Sequence, residues 1–202
     1  MRVLPPLALI LSLTLAAPAS ATQEYFLPTL FDVSGVAADD VLNIRAQPNA
    51  GATIIGTLAP DATRIEVVEE GRGWGRVSVG EVSGWVSMRY LNYRTDVWED
   101  GKLPASFRCY GTEPFWSMHA EGSDLVYSTP DLGEERRPVS AILSTGIFRD
   151  PTRAVVAEGI TLTATPQQCS DGMSDRVLGM RAMAVLTGEN PQMLTGCCWI
   201  QP

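Results

Sequence analysis

Histidine is nearly absent from this sequence, because the 202 residues contain only His119. A zinc site built from two or three imidazoles is therefore excluded. Basic side chains are also scarce: 15 stand against 23 acidic ones, giving a formal net charge of -8 and a pI near 4.6. Such a surface repels phosphate groups, so nucleic acids and anionic lipids are poor partners. The sequence also lacks nucleotide-binding glycine motifs, and we expect no cofactor.

Long apolar runs are also lacking. The one candidate, from Leu7 to Ala17, has about 11 residues, whereas a membrane-spanning helix needs roughly 20. Arg2 precedes this run, and the small residues Ala19-Ser20-Ala21 follow it. This pattern predicts a secretory signal peptide over residues 1–21 and a periplasmic or secreted protein without a membrane span.

Cysteine is missing from the first half of the chain and occurs at Cys109, Cys169, Cys197 and Cys198. An exported chain meets an oxidising compartment, so we expect disulfides. A bond between the two neighbours would close a strained ring, so Cys109 and Cys169 should each pair with one of them. Both such pairings remain open. No Cys-x-x-Cys spacing supports the alternative, a metal site that includes His119, and we expect no metal.

The composition favours many short elements, because 14 prolines and 18 glycines punctuate a chain that is 45% hydrophobic and 19% charged. Residues 29–93 form short alternating runs separated by turns, the pattern of a small antiparallel barrel. In one run Leu42 and Ile44 alternate with Asn43 and Arg45, and in another Ile65 and Val67 share one face.

The motifs of this first domain resemble the bacterial SH3 (SH3b) domain in order and spacing. The matching segments are Leu42-Asn43-Ile44-Arg45-Ala46-Gln47-Pro48, Gly56-Thr57-Leu58, Ile65-Glu66-Val67, Gly73-Trp74-Gly75-Arg76-Val77, Gly84-Trp85-Val86 and Tyr90-Leu91. The resemblance implies a small β-barrel of exported bacterial proteins. Such a barrel commonly binds cell-wall peptides or glycan, or targets another domain, and is not itself catalytic.

Five residues of this domain are candidate ligand-binding residues: Asn43, Arg45, Trp74, Trp85 and Tyr90. The aromatic side chains offer flat apolar faces with polar edges, which suit a sugar ring or a peptide. Arg45 and Asn43 should point outward from their strand, where they can bind a peptide carboxylate. The competing interpretation is structural, with Trp85 half-buried in the core and Asn43 and Arg45 solvated.

The polar, turn-rich residues 94–105 are predicted to link this domain to a second one, residues 106–202. The second domain contains strand-like runs and every cysteine. The sequence thus predicts an all-β protein, an SH3b-like small barrel followed by a disulfide-stapled β barrel or sandwich. Disulfides would supply the stability that a domain of this size lacks.

Three motifs of the second domain resemble an uncharacterised family of bacterial envelope proteins and, more distantly, META-type β domains of heat-inducible lipoproteins. They are Cys109-Tyr110-Gly111-Thr112-Glu113-Pro114-Phe115-Trp116, Cys169-Ser170-Asp171-Gly172-Met173-Ser174-Asp175-Arg176 and Leu194-Thr195-Gly196-Cys197. The chain has Leu178-Gly179 where that family often has Tyr-Pro. The resemblance implies no established activity.

Candidate catalytic groups in this domain each have a structural alternative. Glu113 beside Phe115 and Trp116 is a possible general acid, but a Glu before Pro is extended for steric reasons alone. Asp171 and Asp175 suggest a Ca²⁺ loop, but an Asx turn explains them as well. His119 lacks a recognisable nucleophile, since no Gly-x-Ser-x-Gly motif is present.

We therefore favour a noncatalytic, monomeric cell-envelope binding protein whose SH3b module recognises a peptidoglycan peptide or an envelope protein. The alternative is a cell-wall-acting enzyme with an SH3b targeting module. An enzyme would need Glu113, His119, Asp171 and Asp175 to converge on one open cleft. A third possibility is that the C-terminal domain carries a small apolar molecule in an internal cavity.

Overall fold

The computed structural model describes residues 25–201, whose regular secondary structure is almost entirely β-strand. The predicted signal peptide, residues 1–21, lies outside the described residues. The first eight strands are β1 (Thr29–Val33), β2 (Leu42–Arg45), β3 (Ile54–Leu58), β4 (Ile65–Val67), β5 (Glu69–Gly71), β6 (Trp74–Val79), β7 (Val82–Ser87) and β8 (Leu91–Tyr93). A 3₁₀ turn, Met88–Tyr90, separates the last two.

These eight strands form the N-terminal unit, which consists of two small antiparallel sheets around a shared core. One sheet has the order β3-β2-β7-β6-β5 and the other the order β4-β1-β8. Alternation places Leu42 and Ile44 of β2 in the core, together with Val77 of β6 and Val86 of β7. The alternation of apolar and polar residues in the sequence therefore corresponds to strands with one buried face, as predicted.

The remaining eight strands close into an antiparallel barrel in which each strand pairs with its neighbours in the chain, and the last pairs with the first. They are β9 (Arg108–Thr112), β10 (Phe115–Glu121), β11 (Asp124–Thr129), β12 (Gly133–Ser144), β13 (Arg153–Ala157), β14 (Ile160–Cys169), β15 (Leu178–Leu186) and β16 (Gln192–Trp199). Met118, Leu162 and Met180 are fully buried in its core. The predicted all-β fold is confirmed, and the second domain is a barrel rather than a sandwich.

Two disulfides fasten the barrel. Cys109 of β9 bonds to Cys198 of β16, and the two residues are direct partners in the ladder that closes the barrel. Cys169, at the end of β14, bonds to Cys197. Of the two pairings left open by the sequence, the fold thus adopts the one in which register sets Cys198 beside Cys109.

The N-terminal unit covers one end of the barrel. Leu30 of β1 belongs to the barrel core, whereas its neighbour Phe31 belongs to the core of the N-terminal unit. The backbone N–H of Ile200 donates to Oε2 of the Glu66 carboxyl group on β4 over 3.3 Å. Strands β1 and β4 therefore bury side chains on both faces, one face in each unit, whereas Asn92 of β8 is exposed.

Residues 94–105, the expected linker, also contact the barrel. Val97 and Trp98 are buried in its core, and Trp98 Nε1 donates to the Pro28 carbonyl over 2.8 Å. The Arg153 guanidinium, 2% exposed, stacks on Trp98 and donates to the carbonyls of Glu99 and Lys102. These contacts fix the segment against the barrel, while the domain limits themselves stay predictions.

Gly179 of β15 offers a test of the contact between the units. A Cβ at Gly179 would lie 2.6 Å from Pro28 Cβ and 3.0 Å from Val68 Cγ1, so Gly179→Ala overpacks this contact. We expect it to lower the free energy of unfolding by about 1–3 kcal/mol, measured by urea denaturation. The control is Gly51→Ala, whose Cβ would meet only Asn49 Oδ1 at 3.6 Å. Equal stability of the two variants would contradict a tight contact.

A candidate ligand-binding cleft

Four of the five predicted binding residues line one cleft of about 580 Å³ on the N-terminal unit: Asn43, Arg45, Trp74 and Tyr90. We call it the first cleft. The loop from Gly35 to Val41 forms its other side, and its volume lies within the range typical of small-molecule and peptide sites. The fold thus brings together residues that are up to 47 positions apart, since 90 - 43 = 47.

The polar side of the first cleft is formed by the outward-facing residues of β2. Leu42 and Ile44 are 5% and 1% exposed, whereas Asn43 and Arg45 are half-buried and point away from the core. Arg45 Nη1 donates to the Ala52 carbonyl over 2.7 Å. This bond uses one of the five guanidinium N–H groups and orients the others.

The aromatic side depends on the 3₁₀ turn that follows β7. The N–H of Met88 donates to the Gly73 carbonyl over 2.9 Å, which holds the turn beside the start of β6, where Trp74 lies. The Tyr90 carbonyl accepts from the Ser34 N–H over 2.9 Å and ties the turn to the loop across the first cleft. These backbone bonds hold the segments that carry Trp74 and Tyr90 beside the first cleft.

The charge of the first cleft is unusual for so acidic a chain. Arg45 and Arg89 both line it, and within residues 25–201 neither forms an ion pair. Arg89 instead stacks on the Tyr90 ring, with its Cζ 5.5 Å from the centroid. Asp40 is the acidic residue of the lining, and its carboxylate accepts from the Val41 N–H over 2.8 Å. Two guanidinium groups are therefore available to an anionic ligand group.

Trp85 is not among the residues that line the first cleft, although it is the ladder partner of Arg45. It is half-buried on β7, where Arg76 stacks over its ring at 5.6 Å and also contacts Glu69. Its role in binding stays a prediction. Arg89, by contrast, was missed from the sequence, because its position depends on the 3₁₀ turn rather than on strand alternation. Its one sequence signal is that it directly precedes Tyr90.

Comparison with known protein families agrees with the geometry. Residues 40–92 match the family model described as "Bacterial SH3 domain". This segment contains every residue that lines the first cleft except those of the Gly35–Ala37 edge. This segment is a bacterial SH3 domain. Domains of this kind indicate binding to the cell wall or to proteins. The resemblance of the second domain to an envelope family and to META-type domains is not shown by the comparisons.

Searches of curated proteins and of solved structures found no significant match to the chain. Within residues 25–201, no helix has the length and apolar character needed to cross a bilayer. In the same part of the chain, no three His, Cys, Asp or Glu side chains are grouped as metal ligands.

The four candidate catalytic groups of the barrel do not share one cleft. Glu113 and Asp171 line a cleft beside β9 and β16. His119 lies on β10 between its ladder partners Arg108 of β9 and Val126 of β11, and Asp175 forms an isolated bridge with Val82 of the SH3 domain. The described residues therefore do not assemble the set that the enzyme alternative requires.

Proposed function

We propose that the protein is a noncatalytic binding protein of the bacterial cell envelope. Its SH3 domain recognises, at the first cleft, a peptide that carries a carboxylate: a peptidoglycan stem peptide or a segment of an envelope protein. The observation that carries the proposal is the pair Arg45 and Arg89, which form no ion pair among residues 25–201 and lie beside the Trp74 and Tyr90 rings. Guanidinium groups bind carboxylates through paired hydrogen bonds, and the rings cover apolar parts of the peptide.

An envelope location fits the covalent structure. All four cysteines are joined in two disulfides, which form and persist in oxidising compartments rather than in the cytosol. We accordingly propose a periplasmic or secreted monomer, exported by the sequence-predicted signal peptide.

The test is retention of the pure protein on isolated peptidoglycan sacculi, followed by titration with a soluble stem peptide. We expect Arg89→Gln to weaken binding about tenfold or more, because a lost hydrogen bond to a charged group costs about 1.5–3 kcal/mol. Trp74→Ala should weaken binding by a similar factor, because truncation of an aromatic anchor at a binding site costs about 2 kcal/mol or more. Arg108→Gln removes the same charge from an exposed position on β9 and should leave binding unchanged. Thermal unfolding of each variant verifies that it is folded.

A stem peptide with an amidated carboxyl end should bind the wild type at least as weakly as the free peptide binds Arg89→Gln, because amidation removes the partner of both arginines. Absence of wild-type binding to both sacculi and stem peptide would overturn the peptidoglycan assignment. Equal binding by Trp74→Ala, Arg89→Gln and the wild type would overturn the first cleft as the site.

A further inference from the structure

The three sequence motifs of the barrel converge on one place. A cleft of about 710 Å³ is lined by residues from each of them: Tyr110 to Phe115 at the β9–β10 hairpin, Cys169 to Met173 after β14, and Thr195 to Cys197 on β16. Arg181 of β15 completes the lining. This second cleft is separate from the SH3 domain, and the proposed function does not use it.

The second cleft is held by a fixed network around Asp171. The Asp171 carboxylate accepts from the Tyr110 hydroxyl over 2.7 Å, from the N–H groups of Met173 and Ser174, and from the Ser174 hydroxyl. Thr112 Oγ1 donates to the Asp171 carbonyl over 2.8 Å. Burial opposes ionisation, but these hydrogen bonds prevail and lower the pKa of Asp171 to about 2. The loop is therefore fastened to the barrel wall.

Two side chains of opposite charge line the second cleft. Glu113, at the hairpin tip, and Arg181 both line it, and within the described part of the chain neither forms an ion pair. Asp171, the third charged group of the lining, is already saturated by its own donors. The second cleft thus offers a ligand one anionic and one cationic side chain.

An apolar groove of about 510 Å³ adjoins the second cleft and shares Tyr110, Thr112 and Asp171 with it. Phe115 and Met173 line both and are 53% and 71% exposed. Exposed Met and Phe side chains are typical of surfaces that bind varied apolar groups.

We propose that the second cleft binds a short peptide with free termini and an apolar side chain. The peptide ammonium group pairs with Glu113, its carboxylate pairs with Arg181, and its apolar side chain lies against Phe115 and Met173. The cleft volume falls in the range of roughly 300–1,000 Å³ found for small-ligand sites. The charge pattern distinguishes this ligand from a purely anionic or purely apolar one.

The probe is the tripeptide Ala-Phe-Ala, titrated into the full disulfide-bonded protein and followed by calorimetry and by NMR shifts of the second-cleft residues. N-acetylation or C-amidation of the peptide should each weaken binding about tenfold. Glu113→Gln should lose affinity for the free peptide but not for the acetylated one. Arg181→Gln should lose affinity for the free peptide but not for the amidated one. Glu189→Gln, which removes an exposed charge between β15 and β16, is the matched control.

The proposal is overturned if the wild type does not bind Ala-Phe-Ala, or if Glu113→Gln and Arg181→Gln bind all three peptides as the wild type does. Trp74→Ala separates the two sites, because it removes an aromatic wall of the first cleft only. Loss of Ala-Phe-Ala binding in Trp74→Ala, with Arg181→Gln unaffected, would assign the peptide to the SH3 domain and overturn the second cleft.

Discussion

Removal of the Cys109–Cys198 disulfide is expected to lower the free energy of unfolding by about 4–5 kcal/mol, and removal of Cys169–Cys197 by about 3–4 kcal/mol. The bonded residues are separated by 89 and 28 positions, respectively. A crosslink restricts the unfolded chain more strongly when it closes a longer loop, so the first bond stabilises the native state more. The measurement is urea denaturation of the two double alanine variants.

Barrel closure adds to the effect of the first bond. β9 and β16 pair through only three register positions, and Cys109–Cys198 is the central one. The second double variant is the matched control, since it removes the same number of sulfur atoms and leaves this ladder crosslinked. A Cys169–Cys197 deletion as costly as the Cys109–Cys198 deletion, or costlier, would contradict the loop-length argument.

The sequence was most informative where burial follows the strand period. Alternation of Leu42 and Ile44 with Asn43 and Arg45 predicted which side of β2 is buried, and the SH3 motifs predicted the domain that the family model matches. The cysteines reduced the disulfides to two pairings. The choice between them required the register of β16 against β9, which depends on contacts between strands far apart in the chain.

The contact between the two units could not be predicted in this way. Glu66 lies between Ile65 and Val67, the position of a solvent-facing residue in an alternating strand, yet all three are buried. The reason is that the barrel covers the second face of β4. The burial of Trp98 could not be predicted either, because the residues around it are polar and its ring enters the barrel core only through tertiary contacts. Arg89 in the first cleft and Arg181 in the second are likewise placed by tertiary contacts.

The burial of Glu66 leads to the second large effect, a loss of stability as the pH rises through neutrality. The side chain is 4% exposed, and burial raises the pKa of Glu66 to about 7, although the N–H groups of Ile200 and Gln201 and the charge of Arg176 oppose the shift. Its ordinary value is 4.5. The folded protein therefore holds a proton that the unfolded chain releases, so ionisation of Glu66 favours unfolding.

The stabilising contribution of protonated Glu66 is complete below pH 4.5 and is lost as the pH rises through about 7. The difference between the folded and unfolded pKa values of Glu66 corresponds to a loss of about 3 kcal/mol in the free energy of unfolding between pH 4.5 and pH 8. Asp171 has the opposite shift, to a pKa of about 2, so its contribution is lost only on acidification and does not affect this window. The wild type should therefore be more stable at pH 5 than at pH 8.

Glu66→Gln should remove most of this dependence, because its amide does not titrate. The readout is the difference in urea unfolding free energy between pH 5 and pH 8, since the buried amide also changes the absolute stability through its own N–H groups. Glu81→Gln, at the exposed β6–β7 turn, should keep the wild-type difference. The prediction is contradicted by a wild type that is equally stable at both pH values, or by a Glu66→Gln variant that keeps the wild-type difference in unfolding free energy. Either result would show that Glu66 ionises in the folded protein at little cost, and that the contact between the units does not depend on its proton.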